Sequence, residues 1–172
     1  MVPVSEALHG ASLAYENANR LFISSAHLKR EGFVGASAAL CVLAFEEAAK
    51  AISLVYRSQR LENDDWIKTY FRDHKPKHDL GATAASFSTS LLSKIDFEIT
   101  INDAVVNSEE MANRIEIWRK QADSIKKRGF YVDFQSGHWL TPDQITDELF
   151  ESGIIACGIA IASANGFIKS AK

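Results

Sequence analysis

Between Val34 and Leu54 the chain carries only three charged side chains, Glu46, Glu47 and Lys50. Apolar residues fall at Val34, Ala38, Cys41, Phe45, Ala48, Ile52 and Val55, a spacing of three and four that predicts a helix, and a second stripe runs through Leu40, Leu43 and Leu54. One stripe lays a helix on a core, whereas two stripes bury it nearly all round. The three charges then need partners, because a buried charge costs several kcal/mol unless it is paired. An ion pair between Glu46 and Lys50, four residues apart where the helix meets solvent, is one explanation. A cleft in which the charges orient other groups is the alternative.

Other segments can supply the packing. Ser5 to Leu28 repeats apolar or small residues at Leu8, Ala11, Ala14, Tyr15, Ala18, Leu21, Phe22 and Ser25, an amphipathic helix closed by a turn at Glu31-Gly32. Asp64 and Asp65 cap a short third helix that Pro76 ends or kinks. Asp79 to Lys94 forms a fourth, with Leu80, Ala84, Phe87, Leu91 and Leu92 on one side. Ile95 to Asn107 has β-branched residues without alternation and is assigned as loop. A fifth helix runs from Ser108 to about Lys127, and Gly129 stops it. Phe130 to Trp139 is a short strand or extended loop, after which Thr141-Pro142-Asp143-Gln144 starts the last helix. The expected architecture is all-α, a bundle of about six helices with one irregular or extended excursion before the last, in a single domain over 1–172.

The chain is 47% hydrophobic and 24% charged with three prolines, a composition that favours a packed core over disorder. Cys41 and Cys157 lie in apolar stretches without Cys or His at metal-ligand spacing, so they read as reduced, buried thiols and no metal or cofactor is expected. Met1 to Glu6 does not resemble a signal peptide, so a cytoplasmic protein is expected. The uncharged run from Gly153 to Ile168 is shorter than the roughly 20 residues a bilayer requires, so a buried helix is expected there and no membrane contact.

The net charge of -3 gives the molecule no global attraction to nucleic acid. Locally the balance differs. Lys68 to His78 holds Lys68, Arg72, Lys75 and Lys77 with His74 and His78 against the single Asp73, interleaved with Tyr70 and Phe71. Arg119, Lys120, Lys126, Lys127 and Arg128 stand against Asp123, and are followed by Tyr131, Asp133, His138 and Trp139. Basic side chains among aromatics suit phosphate and base contacts. Solvated helix ends followed by ordinary loops would produce the same composition, since cations gather at helix C-termini.

Three blocks carry a resemblance: Phe45-Glu46-Glu47-Ala48-Ala49-Lys50-Ala51, Phe71-Arg72-Asp73-His74-Lys75-Pro76-Lys77, and Lys126-Lys127-Arg128-Gly129-Phe130-Tyr131-Val132-Asp133. In order and approximate spacing they resemble the AbiV-type abortive-infection branch of the HEPN superfamily, from about Ala7 to the last helix. The resemblance implies a helical, usually dimeric protein that is often a metal-independent ribonuclease using an Arg followed four to six residues later by a His. Arg72 and His78 fit that spacing, with the polar Asp73 after the Arg; Arg20 and His27 fit it loosely in the first helix. Pro76 lies inside the motif and leaves open whether His74 or His78 works.

On that resemblance Arg72 would stabilise charge at phosphorus, and His78 or His74 would move the proton. Lys75, Lys77, Arg128 and Tyr131 would hold the substrate, with Glu46, Glu47, Lys50, Asp73 and Asp133 in support. The expected function is an antiphage effector that cleaves RNA as a homodimer. The alternatives are a non-catalytic module acting through an RNA, a phage protein or a toxin partner, and a helical dimer whose charges only specify assembly.

Overall fold

The computed structural model describes residues 2–60, 99–101, 104–106 and 108–172. Its centre is helix α2 (Val34–Ser58), which packs against α1 (Val4–Arg30), α3 (Ser108–Phe130) and α4 (Asp147–Ser170). Cys41, Val42, Phe45, Ala48, Ile52 and Val55 are almost fully buried, as two apolar stripes require. α1 turns back along α2 through Glu31, Gly32 and Phe33, with Gly32 at φ +84, where a side chain would strain the backbone. α1 buries mainly alanines, Ala7, Ala11, Ala14 and Ala18, so the two backbones lie close. At the end near that turn Ser25 Oγ donates to the Ser37 carbonyl at 2.9 Å and Ser37 Oγ to the Ser25 carbonyl at 2.7 Å. Cys41 Sγ lies 2.9 Å from Ser25 Oγ, so a small buried polar cluster ties α1 to α2.

α3 presents Ile115, Trp118, Ala122 and Ile125 to the core. Trp118 meets Phe45 edge to face at 5.1 Å between centroids, a pairing that contributes about 0.5–1.5 kcal/mol beyond its burial. Its indole also lies over Gly153 of α4, where an added Cβ would sit 2.5 Å from Nε1. One aromatic side chain thus locks three helices together.

The mostly helical expectation holds, with four α-helices among the described residues rather than about six. The helices expected near Asp64 to Phe71 and over Asp79 to Lys94 lie outside the described residues. Ile95 to Asn107, assigned as loop, contains strands β1 (Ile99–Ile101) and β2 (Ala104–Val106), paired antiparallel. Three residues per strand are too few for alternation to register, and the β-branched content was the better guide. The extended excursion is a hairpin of β3 (Asp133–Gln135) and β4 (His138–Leu140), joined by Ser136 at φ 51 and Gly137 at φ 84. Two positive φ values in a two-residue loop match the twist of the strands.

Two boundaries differ from expectation. α3 passes through Gly129 and ends at Phe130. A Cβ on Gly129 would lie 2.3 Å from the Gly35 carbonyl oxygen and 2.7 Å from Ala39 Cβ, so this glycine serves close packing of α3 on α2. Pro142–Gln144 forms a separate 3-10 turn, and α4 begins only after Thr146, whose Oγ1 accepts from Leu149 N at 3.3 Å. Pro142 packs on Gly35, where a Cβ would fall 2.5 Å from the proline Cβ. The start of α2, the end of α3 and the Pro142 turn therefore converge on two glycines.

α4 is long and apolar enough to cross a membrane by length and composition alone. Its face through Gly153, Ala156, Cys157, Ala160, Ala164 and Ile168 is buried, and the helix packs chiefly on α2. Burial pushes the Cys41 thiol up to about 12, with a smaller opposing effect from the Ser25 hydrogen bond, and it pushes Cys157 up as well.

Gly129→Ala should destabilise the protein by about 1–3 kcal/mol, because the clash is with backbone. Gly166→Ala, in open space within α4, should stabilise it by about 0.5–1 kcal/mol. Urea unfolding midpoints that move in those opposite directions would verify the close approach. Both thiols should resist Ellman's reagent at neutral pH until the chain unfolds. The folded Cys41 keeps its proton to higher pH than the unfolded chain, so its contribution to stability is complete below about 9 and declines toward about 12. Unfolding midpoints followed across that alkaline window should fall as pH rises.

Candidate nucleic-acid interface at the end of the third helix

Glu46 is 5% exposed on α2, and its carboxylate accepts from Lys126 Nζ of α3 at 2.7 Å. The intrahelical partner expected for Glu46 was Lys50; in the structure Lys50 pairs with Glu47. Neighbouring helix positions diverge by about 100°, so the two glutamates serve different sides of α2. Glu47 and Lys50 line an apolar groove against Leu13 and Ala14 of α1. The supporting shell expected from Glu46, Glu47 and Lys50 is therefore split: Glu46 joins the α3 side and the other two face α1. The ion pair across 80 residues of sequence was not legible, because periodicity reveals which face is buried and not which cation meets it.

Lys126 fixes where the end of α3 lies, and Arg128, Tyr131 and Asp133 follow. All three line one groove of about 460 Å³ with Lys127, Val132 and Leu140. Of the substrate-holding residues expected from sequence, Arg128 and Tyr131 thus come together beside Asp133. Asp133 accepts from the Phe134 N–H at 2.8 Å, which shapes the start of the hairpin. Arg72, Asp73, His74, Lys75, Lys77 and His78 lie outside the described residues. Arg20 and His27 are both exposed on α1, and His27 Nδ1 contacts the Arg30 guanidinium.

The basic cluster on α3 is more neutralised than its five cations against Asp123 suggested. Arg119 donates to Glu116 at 2.8 and 2.9 Å, and Lys120 reaches the same carboxylate at 3.5 Å. The Arg119 hydrogen bonds, and then the nearby positive charges, hold the Glu116 carboxyl down at about 2. Lys127 pairs with Asp123 at 2.7 Å, and Lys126 with Glu46. Arg128 differs. Its Nη2 reaches the Gln144 carbonyl at 3.5 Å, and its Nε is buried without a hydrogen-bond partner among the described residues.

Arg128 also lines a second groove, of about 300 Å³, between α3 and the start of α4, with Arg114, Ile117, Gln121, Gln144 and Thr146. Arg114, Gln121 and Gln144 did not stand out in the sequence. Beside these grooves the hairpin exposes Phe134 and Trp139, in contact at 5.1 Å between centroids with their planes tilted by 58°, and 55% and 63% exposed. Tyr131 is 68% exposed. Guanidinium, amide and aromatic groups at one end of the bundle can bind phosphates and stack bases. Among the described residues no group of three or more His, Cys, Asp or Glu is placed to hold a metal ion.

A family model described as AbiV matches residues 6–156. The chain belongs to the AbiV family of HEPN proteins. It is therefore an abortive-infection protein of the HEPN type, and the three blocks that carried the resemblance all lie inside the matched range. No curated protein and no solved structure matches the chain.

The Glu46–Lys126 pair gives this AbiV protein a direct test of how its site is held. Glu46→Ala removes the carboxylate that meets a largely buried ammonium at 2.7 Å, so a loss of about 3 kcal/mol is expected. Glu46→Leu combined with Lys126→Met should cost much less, since neither charge then lacks its partner. A thermodynamic cycle in urea, measured with both single variants, should return a coupling of more than about 1 kcal/mol.

Proposed function

We propose that this AbiV protein is an antiphage effector that acts as a metal-independent endoribonuclease in the cytoplasm, as a homodimer. The observation that carries the reading is the Glu46–Lys126 ion pair, which draws two of the three family blocks together and sets Arg128 and Tyr131 on one groove. Arg72 and His78, or His74 in place of His78, are the proposed catalytic pair in the remaining block. The histidine removes the proton of an RNA 2′-hydroxyl, the oxygen attacks the adjacent phosphorus, and the bond to the 5′-oxygen breaks as that oxygen takes up a proton. The guanidinium of Arg72 stabilises the added negative charge on the phosphoryl oxygens. The products are a 2′,3′-cyclic phosphate and a 5′-hydroxyl. RNA is required, because DNA lacks the attacking group. Lys75, Lys77, Arg128 and Tyr131 hold neighbouring nucleotides, with Asp73 and Asp133 in support.

A second reading has its own observation. The exposed Phe134–Trp139 pair is the kind of aromatic anchor that docks a protein, which favours a non-catalytic module acting through a phage-encoded or toxin partner.

Incubation of total cellular RNA with the wild type, Arg72→Ala, His74→Ala and His78→Ala in EDTA separates these readings. Cleavage with cyclic phosphate ends is expected, lost in Arg72→Ala and in one folded histidine variant. Intact RNA with every protein, including after addition of phage lysate, would remove the enzyme and leave the binding module.

A further inference from the structure

Arg128 belongs to two grooves at once, the one beside Tyr131 and the hairpin and the one between α3 and the start of α4. We propose that the α3–α4 groove, with Arg114 and Gln121 on α3 and Gln144 and Thr146 at the approach to α4, is a track for single-stranded RNA that continues past Arg128. The inference rests on the RNA reading and extends it to residues outside the three family blocks' charged positions.

Three observations carry it. First, Arg128 has a buried Nε without an acceptor and a long contact from Nη2 to a carbonyl, so its guanidinium retains donors for an oxyanion. The Nη groups, of which Nη2 makes only that long contact, can meet a phosphate oxygen, and charge-assisted bonds of this type are the strong ones. Second, a second arginine lines the same groove. Arg114 and Arg128 are separated by about 21 Å of helix at the α-helical rise, and the chain of groups between them suits an extended polyanion more than a single small ion. Arg114 is held by Glu110 at 2.7 Å, an exposed pair that a phosphate can replace at little cost. Third, the groups between the arginines are the amide of Gln121 and the hydroxyl of Thr146 beside the exposed Ile117, while the Gln144 amide is held by the Trp139 carbonyl and the Thr141 N–H. Amides donate and accept, and so can meet unpaired base edges, while an apolar side chain offers a surface to a base face. A duplex has its base edges occupied, which makes the single strand the fitting occupant.

Glu148 works against this occupant. It lines the groove and is exposed at the start of α4. Its carboxylate repels phosphate, so its removal gives a test in the direction opposite to that of the arginines.

Binding can be read by fluorescence anisotropy of the full chain with a labelled oligouridine of about a dozen nucleotides, 2′-O-methylated so that it is not cleaved. Arg128→Gln is expected to weaken binding about tenfold and Arg114→Gln about threefold, with the slope of log K against log salt falling by about 0.7 for each lost phosphate contact. Glu148→Gln is expected to tighten binding about twofold. All three changes lie at partly or fully exposed side chains, and circular dichroism melts confirm folding.

If the wild type binds the strand, Arg128→Gln weakens it, and Arg114→Gln and Glu148→Gln bind it as the wild type does, the track is overturned while the RNA reading stands. If the wild type binds neither this strand nor an RNA duplex, both fall. If the duplex binds more tightly than the strand, the single-stranded assignment is wrong. If the arginine variants leave RNA binding unchanged and alter only the mass measured by light scattering, the groove is a surface between copies of the chain.

Discussion

A carboxylate on the most buried helix among the described residues has to be met by a cation, and Lys126 meets Glu46. Much of the placement of α3 depends on that demand. The pair does not by itself make the fold more stable than an apolar contact would, since desolvation of both charges offsets most of their attraction. Its effect is on register. A slip of α3 that carried Ile125 to Glu46 would bury the carboxylate against an apolar side chain and would also move Gly129 off Gly35. Either displacement is costly, one through an uncompensated charge and the other through a backbone clash.

Register then decides what Arg128 can do. At about 100° per residue, Lys126 and Arg128 lie on opposite flanks of the line on which Gly129 touches α2. Lys126 turns to Glu46, and Arg128 turns to the Pro142–Gln144 turn and the start of α4. The proline turn is itself seated on Gly35, so the same pair of glycines that brings α3 against α2 also brings Gln144 to Arg128. The groove residues are placed by packing at a point where almost no side-chain volume is available. Such placement is more rigid than an exposed loop would permit.

The parts of this architecture that repeat along the chain were legible in the sequence, and the parts made by distant contacts were not. α1 and α2 announce themselves because Ala7, Ala11, Ala14 and Ala18, and then Cys41, Phe45, Ala48 and Ile52, return every three or four residues. Gly129 was misread as a stop because a glycine near the end of an apolar pattern fits both a helix terminus and a close approach. Only the position of Gly35, 94 residues earlier, distinguishes the two. Thr141-Pro142 has the composition of a helix start, yet Ile145 is extended at ψ 119 and a new cap at Thr146 opens α4. Of the residues that line the two grooves, sequence reasoning singled out Arg128, Tyr131 and Asp133 and passed over Arg114, Gln121 and Gln144, which come together only between helices.

The surplus charge on α3 was legible in principle and illustrates why composition needs spacing. Glu116 stands three residues before Arg119 and four before Lys120, and Asp123 stands four before Lys127, so each cation has an acid on the preceding turn. The residues three and four before Arg128 are Ile125 and Ser124, and those three and four after it are Tyr131 and Val132. No helical neighbour can neutralise it. A run of cations that looks uniformly basic thus resolves into one guanidinium without an intrahelical acid and several internally compensated pairs. Exposed pairs of that kind contribute little to stability and weaken the field that a distant polyanion would feel. An anionic partner at this end of the bundle would therefore depend on short-range hydrogen-bond geometry at Arg128, and net charge is a poor guide to where it would settle.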